Sequence, residues 1–232
     1  MSFRAAGDHL AIDLPGGTAL FTTRRGGVSE GPYASLNLGV HTDDDPAAVT
    51  ANRERAAALA GAALAAVHQV HGTTVVTAGG EAVPDADGQV TGARTLALFV
   101  LVADCLPVAL VSPEGVGVVH AGWRGLQGGI LGNGVRALRD TGATTVTAAI
   151  GPAIGPCCYE VGDELRAAFG TRERTLDLPA IAAGQLAAAG VGEVHTAGLC
   201  TACAERDGAP LFFSHRRDRG LTGRQAGIAW RS

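Results

Sequence analysis

Residues 95–125, TLALFVLVADCLPVALVSPEGVGVVHAGWRG, decide how this chain is read. Two apolar runs, Leu96 to Ala103 and Val116 to Val119, have the length and branching of buried strands. Each ends on reactive side chains: the first on Asp104-Cys105, the second on His120, followed by Ala121-Gly122-Trp123-Arg124-Gly125. Upstream, His68-Gln69-Val70-His71-Gly72 closes a stretch that reads as helical. The organising expectation is that His71, Cys105 and His120 converge on one metal ion. Catalytic zinc takes three protein ligands and keeps its fourth position open, and a His/Cys/His set supplies borderline-soft donors. A bound divalent ion would also keep the thiol deprotonated.

Each of these residues has a plainer role to weigh. A single His is commonly a hydrogen-bonded core residue, and a Cys a small buried hydrophobe. The separations along the chain match no local zinc-finger spacing. What favours the metal is that all three sit at the ends of elements. A metal-free rival uses Cys105 as nucleophile, His120 as its base, and Asp104 or Asn37 to orient the base; the second histidine, His71, tips the reading towards metal. Asp104 would orient a ligand imidazole, or simply cap a turn. Arg53 and Arg124 suit an anion, since guanidinium forks match phosphate and carboxylate, although surface ion pairs are the plainer role.

Composition narrows the chemistry. The 232 residues, 47% hydrophobic and 17% charged, describe a well-buried globular chain. A net charge of −4 gives no electrostatic footprint for nucleic acid or an anionic membrane. All 18 basic residues are arginine, which excludes a Schiff-base lysine, a P-loop lysine and a lysine base. The start, MSFRAAGDHLAIDLPGG, is no secretory signal. The longest apolar run, Leu96 to Val111, falls short of the roughly 20 residues of a spanning helix. A reduced, cytoplasmic protein is expected.

Along the chain, Ala19 to Thr23 reads as a strand, and Ser29 to Gly39 as an ordered loop. Asp45-Pro46 starts a helix that runs to about Ala60. Leu64 to Val70 and Thr74 to Ala78 form a second apolar piece, followed by an acidic turn from Pro84 to Gly88. Ile130 to Arg139, Asp163 to Phe169 and Leu178 to Ala189 read as helices; Val146 to Ile150, Val194 to Leu199, Leu211 to Ser214 and Gly227 to Trp230 read as strands. No linker or repeat divides them, so one α/β-type domain with mixed strand directions is expected.

Five cysteines do not suggest a disulfide framework. Cys200 and Cys203 have CxxC spacing but make only half of a four-cysteine zinc site, and Cys157-Cys158 are adjacent, so a structural site would need an unusual geometry. Accessory thiols are the expectation there.

Motifs spread along the chain carry a resemblance. They are Phe21-Thr22-Thr23-Arg24 with Gly26-Gly27-Val28-Ser29; Pro32 to Gly39; Gln69-Val70-His71-Gly72; Ala86-Asp87-Gly88; Ala103-Asp104-Cys105; and Val119 to Gly125. Gly151 to Gly155, Phe213 to Asp218 and Thr222-Gly223-Arg224 complete the set. In this order they resemble the bacterial laccase-domain family, also called polyphenol-oxidase-like or peptidoglycan-editing-factor proteins.

The resemblance implies a single four-layer α/β/β/α sandwich with mixed β-sheets over residues 1–232, and zinc on His71, Cys105 and His120, with copper the other metal to consider. It also implies phosphorolysis of adenosine, inosine and methylthioadenosine, with adenosine deamination as a side activity. The partners are then a small nucleoside and phosphate, with no nucleic acid and no membrane. The runner-up is an amidase or hydrolase that edits a peptidoglycan precursor through the same Cys/His site. A copper phenol oxidase fits poorly, because several copper sites need more histidine than the seven present. Within the nucleoside reading, Asp104 and Asp87 are candidate acid/base groups, Asn37 and Arg53 further catalytic candidates, and Arg124, Gln69 and Asp87 candidate substrate contacts.

Overall fold

Why the long apolar run breaks where it does becomes clear once its strands are assigned to sheets. The computed structural model describes residues 1–79 and 83–232. Its strands and α-helices are, in chain order, β1 (Arg4–Ala6), β2 (His9–Leu14), β3 (Gly17–Phe21), α1 (Pro46–Ala60), β4 (Ala63–Ala65), β5 (Val75–Thr77) and β6 (Gly88–Thr91). Then come β7 (Leu96–Val102), β8 (Leu106–Val111), β9 (Val116–Ala121), α2 (Trp123–Gln127), α3 (Ile130–Asp140), β10 (Thr147–Ile150), α4 (Asp163–Ala168) and α5 (Leu178–Ala188). The chain closes with β11 (Glu193–Thr196), the short pair β12 (Glu205–Arg206) and β13 (Ala209–Pro210), and β14 (Gln225–Arg231).

One sheet has the order β1-β2-β3-β14-β7-β4 and the other β11-β10-β8-β9-β6-β5. Both are mixed: β4/β7, β5/β6 and β10/β11 pair in parallel among otherwise antiparallel neighbours. Three apolar clusters separate the layers. Ile12, Phe21, Leu98 and Val100 of the first sheet meet Val111, Val116 and Val118 of the second. The far face of the second sheet, with Leu106, Val108 and Val119, is covered by Leu131, Val135 and Leu138 of α3 and by Ala182 and Leu186 of α5. The far face of the first, with Leu20, Phe99 and Ile228, is covered by Ala56 and Ala60 of α1. This is the α/β/β/α sandwich implied by the motifs. β8 and β9 lie inside it with both faces covered, and every residue of each is buried. That is why they read as continuous apolar runs rather than as alternations. Each fully buried Val or Leu contributes about 1.5–3 kcal/mol.

Local chemistry sets the helix ends. Asp45 accepts the Ala47 N–H at 3.0 Å, Pro46 occupies the first helical position, and Gly61 ends α1 with φ 64°. Asp177 caps α5 through the Ala180 N–H at 2.9 Å. Gly134 of α3 sits so close to the sheet that a Cβ there would stand 2.8 Å from a Val119 methyl.

Two sequence expectations fail for identifiable reasons. The stretch before His68 is not helical: after Gly61 the chain forms β4, which pairs with β7, and then an irregular loop. Its backbone N–H groups bond elsewhere, as shown below. Leu211 to Ser214 is buried but is not a strand. The Gln225 side chain takes the place of a neighbouring strand, accepting the Phe213 N–H at 2.7 Å and donating to the Phe213 carbonyl at 3.0 Å. Apolar residues there are buried without a ladder.

The topology also places the reactive residues. β4 and β7 belong to the first sheet, and β5 and β8 to the second. The loops β4–β5 and β7–β8 therefore both cross between sheets, and these crossings carry His71 and Cys105.

Where the sheets close up, Gly151 abuts the Phe21 ring, and an added Cβ would overlap it. Gly151→Ala is expected to destabilise the fold by about 1–3 kcal/mol through overpacking. Urea unfolding measures this, and an unchanged midpoint would contradict the close approach.

Candidate metal and catalytic site

Asp87 stands at the base of the site, fully buried at the start of β6. Its carboxylate accepts the backbone N–H groups of Val70 (3.2 Å), His71 (2.9 Å) and Gly72 (2.6 Å). These bonds shape the loop that a helix would otherwise have claimed. The same carboxylate lies 2.8 Å from Nδ1 of His120, at the end of β9. With Nδ1–H donated to Asp87, Nε2 of His120 is left for Cys105. Burial opposes ionisation of Asp87, but His120 and the N–H groups of Gly72 and Val70 outweigh it and hold the carboxyl below its usual range.

His71, Cys105 and His120 place their ligand atoms within 4.8 Å of one another. The imidazoles meet edge to face, with centroids 4.8 Å apart. His120 is buried, Cys105 half-buried and His71 exposed, so the cluster opens to solvent on one side. Gly122 packs tightly against the cluster: a Cβ would stand 3.1 Å from the Cys105 sulfur and 3.3 Å from Cδ2 of His71. Burial pushes the Cys105 thiol up, yet the His120 charge and hydrogen bonds from both histidines bring it down to about 6. Burial lowers His120, but Cys105 and Asp87 together raise it to about 9. A thiolate and two imidazoles, one locked by a carboxylate, fit a transition-metal ion such as zinc.

His71 and Asp104 are both non-glycine residues in left-handed backbone, with φ 59° and 97°. Such conformations persist where surrounding bonds over-determine them. For Asp104 those bonds are a carbonyl accepting from Ile154 N–H at 2.9 Å, and carboxylate oxygens accepting from Thr201 Oγ1 and Arg216 N–H at 2.7 Å each. The carboxylate that orients the imidazole is therefore Asp87, not Asp104, whose oxygens are held by the wall of the site.

Several candidates turn out to act on the backbone. Gln69 donates to the Leu101 carbonyl and accepts its N–H, both at 2.8 Å, so each end of its amide is bonded to backbone. Asp87, buried with four donors around it, is likewise not placed to touch substrate or to act as an acid/base group. Asn37 is buried, donates to Thr42 and Asp44, and accepts from Gly39 and Arg224 N–H groups. It shapes a loop and fixes Arg224. Arg53 donates to the Leu38 carbonyl at 2.9 Å and lies over Phe99, 5.3 Å from the ring centroid, with no ion pair among the described residues. Arg124 is exposed on α2 and lies 4.2 Å from the Trp123 ring centroid.

Three further residues approach the cluster. Burial and then the Cys105 charge push the Tyr159 phenol up, with Arg216 and Arg124 also in electrostatic range. Arg216 lies over the Tyr159 ring at 5.0 Å. Arg224 feels the charges of Cys105 and Asp104. Arg216 and Arg224 stood inside recognised motifs, but nothing in their local sequence marked them as neighbours of Cys105.

Two outcomes follow from this geometry. Asp87→Asn would present an N–H group to donors and is expected to weaken zinc binding by about 10–100-fold, read by competition with a chromophoric chelator. Above pH 6 Cys105 is already a thiolate, whereas His120 must lose a proton before it can bind metal. Zinc uptake at neutral pH is thus expected to release about one proton, with affinity rising about tenfold per pH unit towards pH 9. Calorimetry in buffers of different ionisation enthalpy tests this, and uptake without proton release would contradict the paired state of Cys105 and His120.

Comparison with known proteins places this geometry. The Streptomyces griseus purine nucleoside phosphorylase ORF3 is 43% identical, aligning 90% of this chain with 92% of its own. The Geobacillus stearothermophilus purine nucleoside phosphorylase YlmD is 39% identical over 92% of this chain and 90% of its own. The crystal structure of Neisseria meningitidis protein NMB0706 superimposes with a TM-score of 0.87 at 39% identity, covering 97% of this chain and all of that one. The family model described as multi-copper polyphenol oxidoreductase laccase matches residues 18–232, and the chain belongs to that family.

Proposed function

We propose that the chain is a zinc-dependent purine nucleoside phosphorylase acting on adenosine, inosine and S-methyl-5'-thioadenosine, with deamination of adenosine as a side activity. The observation that carries this reading is the Asp87-locked His71/Cys105/His120 cluster, with Tyr159 and Arg224 in electrostatic range of Cys105 and Arg124 and Arg216 in range of Tyr159. Relatives named purine nucleoside phosphorylase at about 40% identity support it. Among the described residues, the one other group that could hold a metal is four cysteines. That is not the histidine-rich set that several oxidase copper centres require.

In phosphorolysis a phosphate oxygen bonds to C1′ of the ribose as the C1′–N9 bond breaks. The electron pair leaves with the purine, which takes up a proton, and the other product is ribose 1-phosphate. Arg124, exposed on α2, and Arg216 and Arg224, in electrostatic range of Tyr159 and Cys105 respectively, supply guanidinium groups for the phosphate. Tyr159, whose phenol is held protonated by burial and by the Cys105 charge, supplies a hydroxyl donor for the departing base. Asp87 keeps His120 in one tautomer, and Asp104 ties the site wall to Thr201 and Arg216. Zinc bound by His71, Cys105 and His120 would supply a Lewis acid with an open fourth position.

Purified protein incubated with adenosine or inosine, with and without phosphate, is expected to release adenine or hypoxanthine only with phosphate. Cys105→Ala should lose at least about 100-fold of that activity, the scale of removing a group that stabilises transition-state charge. Inosine formed from adenosine without phosphate would establish the side activity. Zinc-loaded protein that turns over neither nucleoside would overturn the reading and favour the precursor-editing hydrolase.

A further inference from the structure

The four remaining cysteines lie far apart in sequence yet meet in space. β10 and β11 are adjacent and parallel, pairing Ile150 with Thr196, so the turns that follow them emerge at the same end of the sheet. The first turn carries Cys157 and Cys158 and is wound by bonds from Cys158 and Tyr159 N–H to the Gly155 carbonyl, each 3.0 Å. The second carries Cys200 and Cys203 and is closed by Ala204 N–H to the Cys200 carbonyl at 2.9 Å. Backbone bonds lace the turns together: Thr201 N–H reaches the Ala153 carbonyl at 3.0 Å, and Ala153 N–H the Leu199 carbonyl at 3.3 Å. The adjacency of Cys157 and Cys158, awkward in one dimension, is accommodated because the helical turn lets both approach the partner pair.

All four sulfurs lie within 4.8 Å of one another, and those of Cys157 and Cys203 are 3.6 Å apart. A tetrahedron built on zinc–sulfur bonds of about 2.3 Å has edges of about 3.8 Å. The Cys200 sulfur also accepts the Gly155 N–H at 3.3 Å, with the N–H groups of Ala202 and Cys203 directed at it, as suits a thiolate. We propose that Cys157, Cys158, Cys200 and Cys203 form a second, structural tetrathiolate site for a single zinc ion, distinct from the His71/Cys105/His120 cluster.

The consequence is mechanical. The ion clips the turn bearing Tyr159 to the turn bearing Thr201, and Thr201 holds the Asp104 carboxylate beside Cys105. The site therefore braces one wall of the catalytic cluster without touching its ligands. Two of the thiols resist ionisation: contact with Cys158 pushes Cys203 up, and burial pushes Cys158 up to about 11. A divalent ion would reverse this by binding thiolates.

Elemental analysis of the full chain, purified under reducing conditions, tests the proposal. Wild type is expected to carry about two zinc ions per chain and Cys105→Ala about one, since that variant loses only the first site. Adding Cys203→Ser to Cys105→Ala should remove the remaining ion. In Cys105→Ala, cobalt should give the intense sulfur-to-metal charge-transfer absorption of a tetrathiolate, and a mercurial should release the zinc as it consumes thiols. The last two readings need no cysteine-cluster variant to fold. A zinc-free but folded Cys105→Ala protein would overturn the proposal, as would a mass and thiol count showing these cysteines joined in disulfides. Because Cys105→Ala reports on the cysteine cluster alone, either result stands independently of nucleoside turnover.

Discussion

The carboxylate of Asp87 is the interaction on which the site depends. One buried anion accepts three consecutive backbone N–H groups of the His71 loop and the Nδ1 proton of His120, and so sets two of the three ligand positions at once. Hydrogen bonds to a charged group are worth about 1.5–3 kcal/mol each, and an unpaired buried carboxylate would be expensive. The loop and β9 are thus tied to one atom pair rather than to each other. The sheets supply rigidity, and Asp87 converts it into the orientation of two imidazoles.

The same arrangement explains why cysteine, rather than a third histidine, suits position 105. Buried beside a histidine whose other nitrogen already donates to a carboxylate, the thiol ionises at the expense of His120. The negative charge is shared through a line from Asp87 to His120 to Cys105, with Arg224 in electrostatic range of Cys105. Such a cation raises the local concentration of an anion near the cluster.

Much of this was legible in the sequence, and the part that was not has a common cause. Continuous apolar runs ending in Asp104-Cys105 and His120 marked the strands and two residues of the cluster, because burial on both faces leaves a one-dimensional signature. The cap of α1 at Asp45-Pro46 was equally local. What escaped were side chains that replace backbone partners. Gln69 bonds both backbone groups of Leu101, and Gln225 does the same for Phe213. Asn37 joins residues nearly the whole chain apart. Asp87, Arg216 and Arg224 take their roles from neighbours more than a dozen residues distant, and no periodicity reports such contacts. The cysteine pairs hid for the same reason, each being only half of a cluster assembled by the β10/β11 pairing.

The position of β14 carries a consequence for how the chain is made. It is the final strand in sequence, yet it lies in the interior of the first sheet, between β3 and β7. Until it emerges from the ribosome, β3 and β7 have no shared neighbour, and the sheet that backs the Cys105 turn consists of two unconnected halves. The first sheet therefore forms as a whole only once β14 is present. Contacts of such long range close slowly, and until β14 docks the facing edges of β3 and β7 stay unpaired. The docking of β14 is thus the step that joins the two halves of the first sheet.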